Sequence, residues 1–327
     1  MHVLITGAAG MIGRKLIERL VEAEGLDGRP IDELTLCDVI EAERPARFAG
    51  TVKILAGDLS APGEAAGTVA RRPDVFFHLA GVVSGEAEID FDKGYRVNLD
   101  GTRALLEAIR STGDGYRPKV VYTSSIAVFG APFPAAIPDD FHLTPLTSYG
   151  TQKAIGEALL ADYARRGFCD GVGIRLPTIV VRPGRPNRAA SGFFSGIIRE
   201  PLAGLEAVLP VAETVLHTHA SPRSAVGFLV HAAGLSREAL GPRLNLSMPG
   251  VCCTVAEQIA ALRRVAGERV AGRIRREPDA LIGRIVAGWP QRIEARRARE
   301  LGFKAESSFE EIVRIHIDDD RGGAFVP

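Results

Sequence analysis

Three things are scarce in this chain, and each scarcity narrows what it can be. Net charge is absent, because 40 basic residues balance 40 acidic ones. No long-range field draws the chain to nucleic acid or to an anionic membrane, and neither is an expected partner. Long apolar runs are missing too. Nothing approaches the roughly 18 consecutive apolar residues of a membrane-spanning helix. Cysteine is sparse. Cys37, Cys169, Cys252 and Cys253 show no metal-type spacing, and Cys252 and Cys253 are adjacent, a poor arrangement for ligands. They read as buried free thiols in a reducing cytoplasm, and no metal is expected. The first residues run straight into an apolar strand, with neither the basic segment nor the cleavage site of a secretory leader. A cytoplasmic location is therefore the expectation.

What is present is an ordinary globular composition, 46% hydrophobic and 24% charged over 327 residues. Apolar strands and amphipathic helices alternate through the first half. Strands are expected at His2–Thr6, Glu33–Asp38, Thr51–Ala56, Asp74–Leu79, Lys119–Thr123 and Gly171–Leu176. Helices are expected at Met11–Glu24, Val97–Ser111 and Ser148–Arg166. This alternation means a parallel sheet covered on both faces. The spacing changes near residue 180, at the basic turn Arg182-Pro183-Gly184-Arg185-Pro186-Asn187-Arg188. Helices near Phe193–Ala203, Ser224–Gly234, Thr254–Val265 and Phe309–Ile315 then mix with strands near Ala207–Leu209 and Arg243–Ser247. Residues 1–180 read as a dinucleotide-binding core. Residues 181–327 read as a smaller, mostly substrate-binding region with some segments returning to the core. There are no internal repeats.

The glycine loop carries the first chemistry. Gly7-Ala8-Ala9-Gly10-Met11-Ile12-Gly13 links the first strand to the first helix. Gly7 allows a tight turn, Gly10 lets backbone approach a pyrophosphate, and Gly13 lets the helix pack close to the sheet. The helix start at Met11 and Ile12 offers free N–H groups and a positive dipole end to the phosphates. A glycine pattern alone is weak evidence, but its place between strand and helix is the confirming context. Asp38 closes the second strand, where a carboxylate binds the adenosine ribose hydroxyls and repels a 2′-phosphate. NAD is therefore expected over NADP. The spacing from the glycines is slightly long, because Gly25–Glu33 forms an extended loop. Asp58 and Leu59 follow the third strand, where a carboxylate meets the adenine edge. Leu79, Ala80 and Gly81 end the fourth, with small residues where the cofactor lies on backbone. His78 beside them reads as a core histidine.

The second chemistry is Tyr149 and Lys153, one helical turn apart and so on one face. A phenol, with a pKa of about 10, is a poor base at neutral pH. A nearby ammonium favours the phenolate, which then takes a proton from an alcohol while hydride leaves its carbon. Ser125, at the end of the fifth strand, is placed to hold the substrate oxygen. Asn98 is a candidate for fixing backbone or a water near Lys153.

These residues carry a family resemblance. Thr6-Gly7-x-x-Gly10-x-x-Gly13, Asp38, Asp58-Leu59, His78–Gly81, Asn98, Tyr122–Gly130 and Tyr149–Lys153 are similar to the extended short-chain dehydrogenase/reductases, the group of sugar-nucleotide epimerases and dehydratases. Arg299-Glu300-Leu301-Gly302-Phe303 is similar to that group's closing helix motif. The resemblance implies a Rossmann doubly wound parallel sheet in an α/β fold, bound NAD, and a Ser125/Tyr149/Lys153 triad, with Ser125 selected over Ser124. It also implies a homodimer built on helices beside the active site. Thr123, Tyr149, Lys153, Pro177 and Thr178 join the cofactor residues on the same grounds, and Lys153 can also bond the nicotinamide ribose. Within the group, Met1–Gly13, His78–Gly85, Thr147–Glu157 and Arg175–Ser191 most resemble the D-erythronate dehydrogenases. That implies oxidation at C2 of a short sugar acid. One departure points the same way: many epimerases carry Arg-x-x-Asn after the sixth strand, and here Arg175-Leu176-Pro177-Thr178 lacks the amide.

A hydroxy acid needs a carboxylate anchor, which arginine supplies through two parallel bonds. Arg185 and Arg223 are the candidates. Ser84, after the fourth strand, could bond a substrate oxygen, with Asn187 and Ser191 as weaker versions of the same idea. His217 and His219 alternate with Thr218, and only one of them is expected to face a substrate, with His217 preferred. Three functions remain open: a sugar-acid 2-dehydrogenase, a nucleotide-sugar epimerase or dehydratase that retains its NAD, and a non-catalytic NAD(H) sensor.

Overall fold

A computed structural model describes residues 1–184 and 191–327. The chain divides into two compact units. One comprises residues 1–128, 147–176 and 226–246; the other comprises 129–146, 177–225 and 247–327.

The first unit is built on a seven-stranded sheet. Its strands are β1 (His2–Thr6), β2 (Glu33–Asp38), β3 (Thr51–Ala56), β4 (Val75–His78), β5 (Lys119–Ser125), β6 (Asp170–Leu176) and β7 (Asn245–Ser247). They lie in the order 3-2-1-4-5-6-7, and β1 to β6 pair in parallel. The order reverses between β1 and β4, the place where such sheets bind ligands at their carboxyl ends. Continuous apolar stretches suit strands covered on both faces. Val3, Leu4, Ile5, Phe76 and Phe77 are accordingly sealed from solvent.

Helix α1 (Met11–Glu22) buries Gly13, Leu16, Ile17 and Leu20, the stripe a 3.6-residue period dictates. It stops short of the expected Glu24, which has a left-handed backbone (φ 52°). The loop that lengthens the path to Asp38 is a small hairpin, Gly25–Leu26 against Arg29–Pro30. Its two turn residues, Asp27 and Gly28, both have positive φ (51° and 71°), the backbone a two-residue type I′ turn demands. Helix α2 (Ser84–Ile89) follows β4. The helix expected from Val97 begins as a π-helical turn, Tyr95–Asp100, and continues as α3 (Gly101–Ser111). Helix α4 (Ser148–Arg165) packs on β5 and on the π turn.

The second unit has its own core. Phe194, Ile197, Ile198 and Leu202, from the helix Gly192–Leu202, meet Val255, Ile259 and Leu262 and the Phe309, Ile312 and Val313 side of the last helix. A capping box, Thr254 with Glu257, starts the helix Val255–Ala266, a motif that satisfies two orphan N–H groups at once. A three-stranded sheet sets Leu216–Ala220 between Val251–Thr254 and Thr178–Ile179. Among the described residues, no helix is long and apolar enough to cross a membrane.

Candidate active site

The carboxyl end of the sheet is where the first unit gathers its polar groups. The loop after β1 is shaped by close backbone approach. Gly7 has φ +72°, and a Cβ on it would stand 2.8 Å from the Ala80 nitrogen. A Cβ on Gly13 would stand 2.2 Å from the Gly7 carbonyl oxygen. Neither position tolerates a side chain, so the β1 turn lies flat against Leu79-Ala80 and against the start of α1. Gly10 caps α1 without any side-chain cap, leaving the first-turn N–H groups of Met11 and Ile12 to an outside partner. Asp38 lies alongside. Its Oδ2 accepts from the Ala9 N–H at 2.9 Å and its Oδ1 from the Val39 N–H at 2.7 Å. The carboxylate thus stands beside the glycine turn.

Asp58 accepts from both the N–H and the hydroxyl of Ser60 (2.9 and 2.6 Å). Burial opposes its ionisation, yet the Ser60 bonds and the Arg96 charge outweigh it and hold the carboxyl below its usual range. Leu59 is buried with Cys37 and Ala65. Thr123 on β5 donates its hydroxyl to the His78 carbonyl (2.9 Å), joining two strand ends. His78 itself is fully enclosed. Thr102 donates to the Asn98 carbonyl (2.7 Å), so its oxygen is left to accept from His78 Nε2 (2.9 Å). His78 Nδ1 then accepts from Thr6 (2.7 Å). Burial, with Lys153 nearby, pushes the imidazole down to about 3. It is neutral and structural.

Tyr149 and Lys153 stand on the first two turns of α4. Thr147 caps this helix, accepting from the Gly150 N–H (3.0 Å), a bond worth about 1 kcal/mol. Glu88 of α2 accepts from the Ser148 N–H (2.5 Å). Tyr149 therefore sits at the positive end of a helix dipole, where negative charge is favoured. Lys153 is sealed from solvent and donates to the Thr123 carbonyl at 2.8 Å. Its Nζ lies 5.8 Å from the Tyr149 ring centre and 5.0 Å from that of Tyr122. Burial pushes the amine down to about 8, partly offset by Glu157. Ser125 closes β5, two residues beyond the carbonyl that holds Lys153, and its Oγ accepts from the Ala127 N–H (3.1 Å).

Asn98 approaches from the π turn. Its amide exchanges bonds with Val82 (2.8 and 3.2 Å) and donates to Gln152 (2.8 Å). π-helical turns recur at functional sites because they re-aim one side chain, and here that side chain is Asn98. Gly81 completes the cradle. A Cβ there would lie 2.9 Å from Asn98 Oδ1 and 3.6 Å from Lys153 Nζ. The missing side chain leaves open the space those two groups border. The flat glycine turn, the free helix start, Asp38 and this cradle fit a dinucleotide laid along the strand ends. Ser84 opens α2 within the same unit, partly exposed.

The remaining expected residues belong to the second unit. Thr178 donates its hydroxyl to His217 Nε2 (2.6 Å), and Pro177 precedes it. His217 also bonds the Pro290 backbone, stacks on Phe194 (5.2 Å, 7°) and is pushed down to about 4 by burial. The expectation that only one of His217 and His219 faces inward is corrected. Residues two apart on a strand share a face, both rings are buried, and their centres are 5.2 Å apart. Arg223 is held by Asp319, to which its guanidinium donates twice. Ser191 accepts from Arg182 (3.2 Å). Arg185 and Asn187 lie outside the described residues.

Residues 3–223 match the family described as the NAD dependent epimerase/dehydratase family. The chain belongs to that family. NAD is its cofactor, and the chain is an oxidoreductase. It is 49% identical over 323 residues to a D-erythronate dehydrogenase from Cupriavidus necator, covering 98% of each chain. It is 39% identical over 322 residues to a D-erythronate dehydrogenase from Haemophilus influenzae, covering 98% of this chain and 100% of that one. A crystal structure described as a nucleoside-diphosphate-sugar epimerase from Agrobacterium tumefaciens matches with a TM-score of 0.97 at 65% identity, over 99% of this chain and 95% of that one. A GalE-like L-threonine dehydrogenase from Cupriavidus necator matches with a TM-score of 0.84 at 26% identity, over 98% and 99%.

Two groups in the site escaped the sequence reading. Glu157, four residues past Lys153, accepts from Ser124 (2.5 Å) and from Arg175 (2.7–3.1 Å). Its i+4 spacing from Lys153 was the available signal. Gln152 holds Asn98 from below, and nothing in its sequence neighbourhood marks it.

Proposed function

We propose that this protein oxidises the C2 hydroxyl of a short sugar acid, D-erythronate or a close relative, to the 2-oxo acid. The observation that carries this reading is full-length similarity to a D-erythronate dehydrogenase, 49% identical with 98% of each chain aligned. The arrangement of Ser125, Tyr149 and Lys153 supports it. When bound, NAD supplies the acceptor for the C2 hydride. Gly7, Gly10, Gly13 and the N–H groups of Met11 and Ile12 hold its pyrophosphate, and Asp38 its adenosine ribose. Asp58 and Leu59 border the adenine. Leu79, Ala80, Gly81, Asn98, Thr123, Pro177 and Thr178 line the remainder.

Ser125 donates to the substrate C2 oxygen and orients it. Tyr149 takes the hydroxyl proton as its base. The Lys153 ammonium stabilises the phenolate, and the Thr123 carbonyl fixes that ammonium in place. Ser84 bonds a further substrate oxygen. Arg223 serves as carboxylate anchor only by exchanging Asp319 for substrate, an exchange that Arg223→Ala reads as a raised KM. His217 is left with a shaping role, since both ring nitrogens are engaged within its own unit. A cytoplasmic homodimer completes the reading, in keeping with the family pattern and the free thiols.

The second reading is a nucleotide-sugar epimerase or dehydratase, favoured by the 0.97 match to a chain described as an epimerase. One feature weighs against it: Thr178, where many epimerases place an amide, is tied to His217. Net NADH formation from aldonic acids, with nucleotide-sugars left unchanged, selects the dehydrogenase. Turnover of a nucleotide-sugar without net NADH selects the epimerase.

A further inference from the structure

One turn beyond Lys153 on α4, the first unit buries an ion pair. Glu157 and Arg175 are joined through two guanidinium nitrogens at 2.7–3.1 Å, with side-chain exposures of 1% and 9%. Ser124 adds a third bond to the same carboxylate (2.5 Å). The three residues come from three elements: β5, α4 and β6. Burying such a pair is costly, and an apolar pair of the same shape is often equally stable or more so. Packing alone does not account for it.

The position suggests what does. Glu157 is one turn beyond Lys153 on α4, as Lys153 is one turn beyond Tyr149. Among the described residues, the groups facing Lys153 are few. From β4 and the loop after it come His78, neutral, and Gly81. From the π turn comes Asn98. From β5 come the Tyr122 ring and the Thr123 carbonyl. From α4 come Tyr149 and Glu157, with Arg175 of β6 behind the latter. Glu157 is the only carboxylate in that set. In a low-dielectric interior its charge acts over a full helical turn.

We propose that Glu157, clamped by Arg175 and Ser124, is a positioning residue that keeps the buried Lys153 protonated and so keeps Tyr149 in its base form. This rests on the functional reading above for the role of Tyr149. The burial that pushes Lys153 down would act unopposed without Glu157. Lys153 would then lose its proton nearer neutrality, and the phenolate would lose its supporting cation. The clamp also fixes where the carboxylate points, which a free glutamate would not do.

The test is a spectrophotometric titration of the tyrosinate band in the full chain. Tyr149 is isolated by difference against Tyr149→Phe. Glu157→Gln alone leaves Arg175 buried without its partner and endangers folding, so the paired variant E157Q/R175M carries the experiment. Ser124→Ala, which removes one clamp bond, is its milder companion. The expected result is that Tyr149 ionises at higher pH in E157Q/R175M, by less than the roughly one unit of a single lost charge, because the nearer carboxylate is lost together with the guanidinium behind it, whose opposite charge partly cancels it. A smaller shift in the same direction is expected in Ser124→Ala. The acid limb of kcat should move with it. Tyr149 curves superimposable on wild type in every variant that folds would overturn the proposal. Failure of the functional reading looks different: wild-type protein forms no NADH from any aldonic acid, whatever the tyrosinate curve does.

Discussion

Lys153 and Tyr149 stand one turn apart on α4, the lysine Nζ 5.8 Å from the centre of the tyrosine ring and fastened to the Thr123 carbonyl at 2.8 Å. That fastening makes the ammonium a fixed charge rather than a mobile one. If Tyr149 is the base, Tyr149→Phe removes the proton acceptor and keeps the ring. The rate should fall by about 10²–10⁴-fold, the usual worth of a general base. NAD binding, followed by quenching of intrinsic fluorescence, should weaken far less than the rate falls. A variant keeping more than about a tenth of the rate would assign the proton to another group.

Gly81 borders the space between Asn98 Oδ1 and Lys153 Nζ, and a Cβ would lie 2.9 Å from the first. Gly81→Ala should weaken NAD binding by about tenfold or more, roughly 1.4 kcal/mol. The melting temperature should fall as well, since the methyl crowds the buried Asn98, whose amide is bonded to Val82 and Gln152. Calorimetric titration with NAD checks this, and wild-type affinity would remove Gly81 from the cofactor site.

Asp38 holds the Ala9 N–H with one oxygen and the Val39 N–H with the other. Asp38→Asn keeps the volume and removes the charge that repels a 2′-phosphate. The ratio of NAD to NADP affinity should drop by about tenfold or more, measured by titrating the two cofactors separately. An unchanged ratio would mean that selectivity lies elsewhere.

Stability should decline in mild acid. Burial depresses His78 to about 3 and His217 to about 4. Between those values and the unfolded value near 6.5, the unfolded chain binds protons that the folded chain refuses. Stability is therefore full above about pH 6.5 and falls as the pH drops, with a limiting slope of about 1.4 kcal/mol per pH unit for each histidine. Urea denaturation at pH 7, 6 and 5 reads the slope. A flat line across that range would contradict neutral, buried imidazoles.

Much of the first unit was legible because its signals are local. The β1 run, the Gly7–Gly13 turn and the α1 stripe are contiguous, and each is fixed by sterics within a few residues. Tyr149 and Lys153 needed only helical spacing. The hairpin after α1 was legible in principle, since Asp27-Gly28 is a strong turn pair, but its strands are two residues long and show no periodicity. The π turn at Tyr95–Asp100 left no mark, because it precedes Leu105, Leu106 and Ile109, whose spacing defines the helical stripe. Bonds between distant residues were hidden altogether. Arg223 meets Asp319 across 96 positions, and Arg175 meets Glu157 across 18; either arginine looks equally available for substrate in the sequence. The two histidines of Leu216–Ala220 were misjudged for a simpler reason: a period of two puts His217 and His219 on one face.

The central claim is oxidation of a short sugar acid with Tyr149 as base. Its most direct test is NADH absorbance, using purified protein, NAD and a panel of D- and L-aldonic acids that includes D-erythronate. The account predicts net NADH with D-erythronate or another four-carbon acid, lost in Tyr149→Phe. No net NADH with any acid, together with turnover of a nucleotide-sugar, would contradict it.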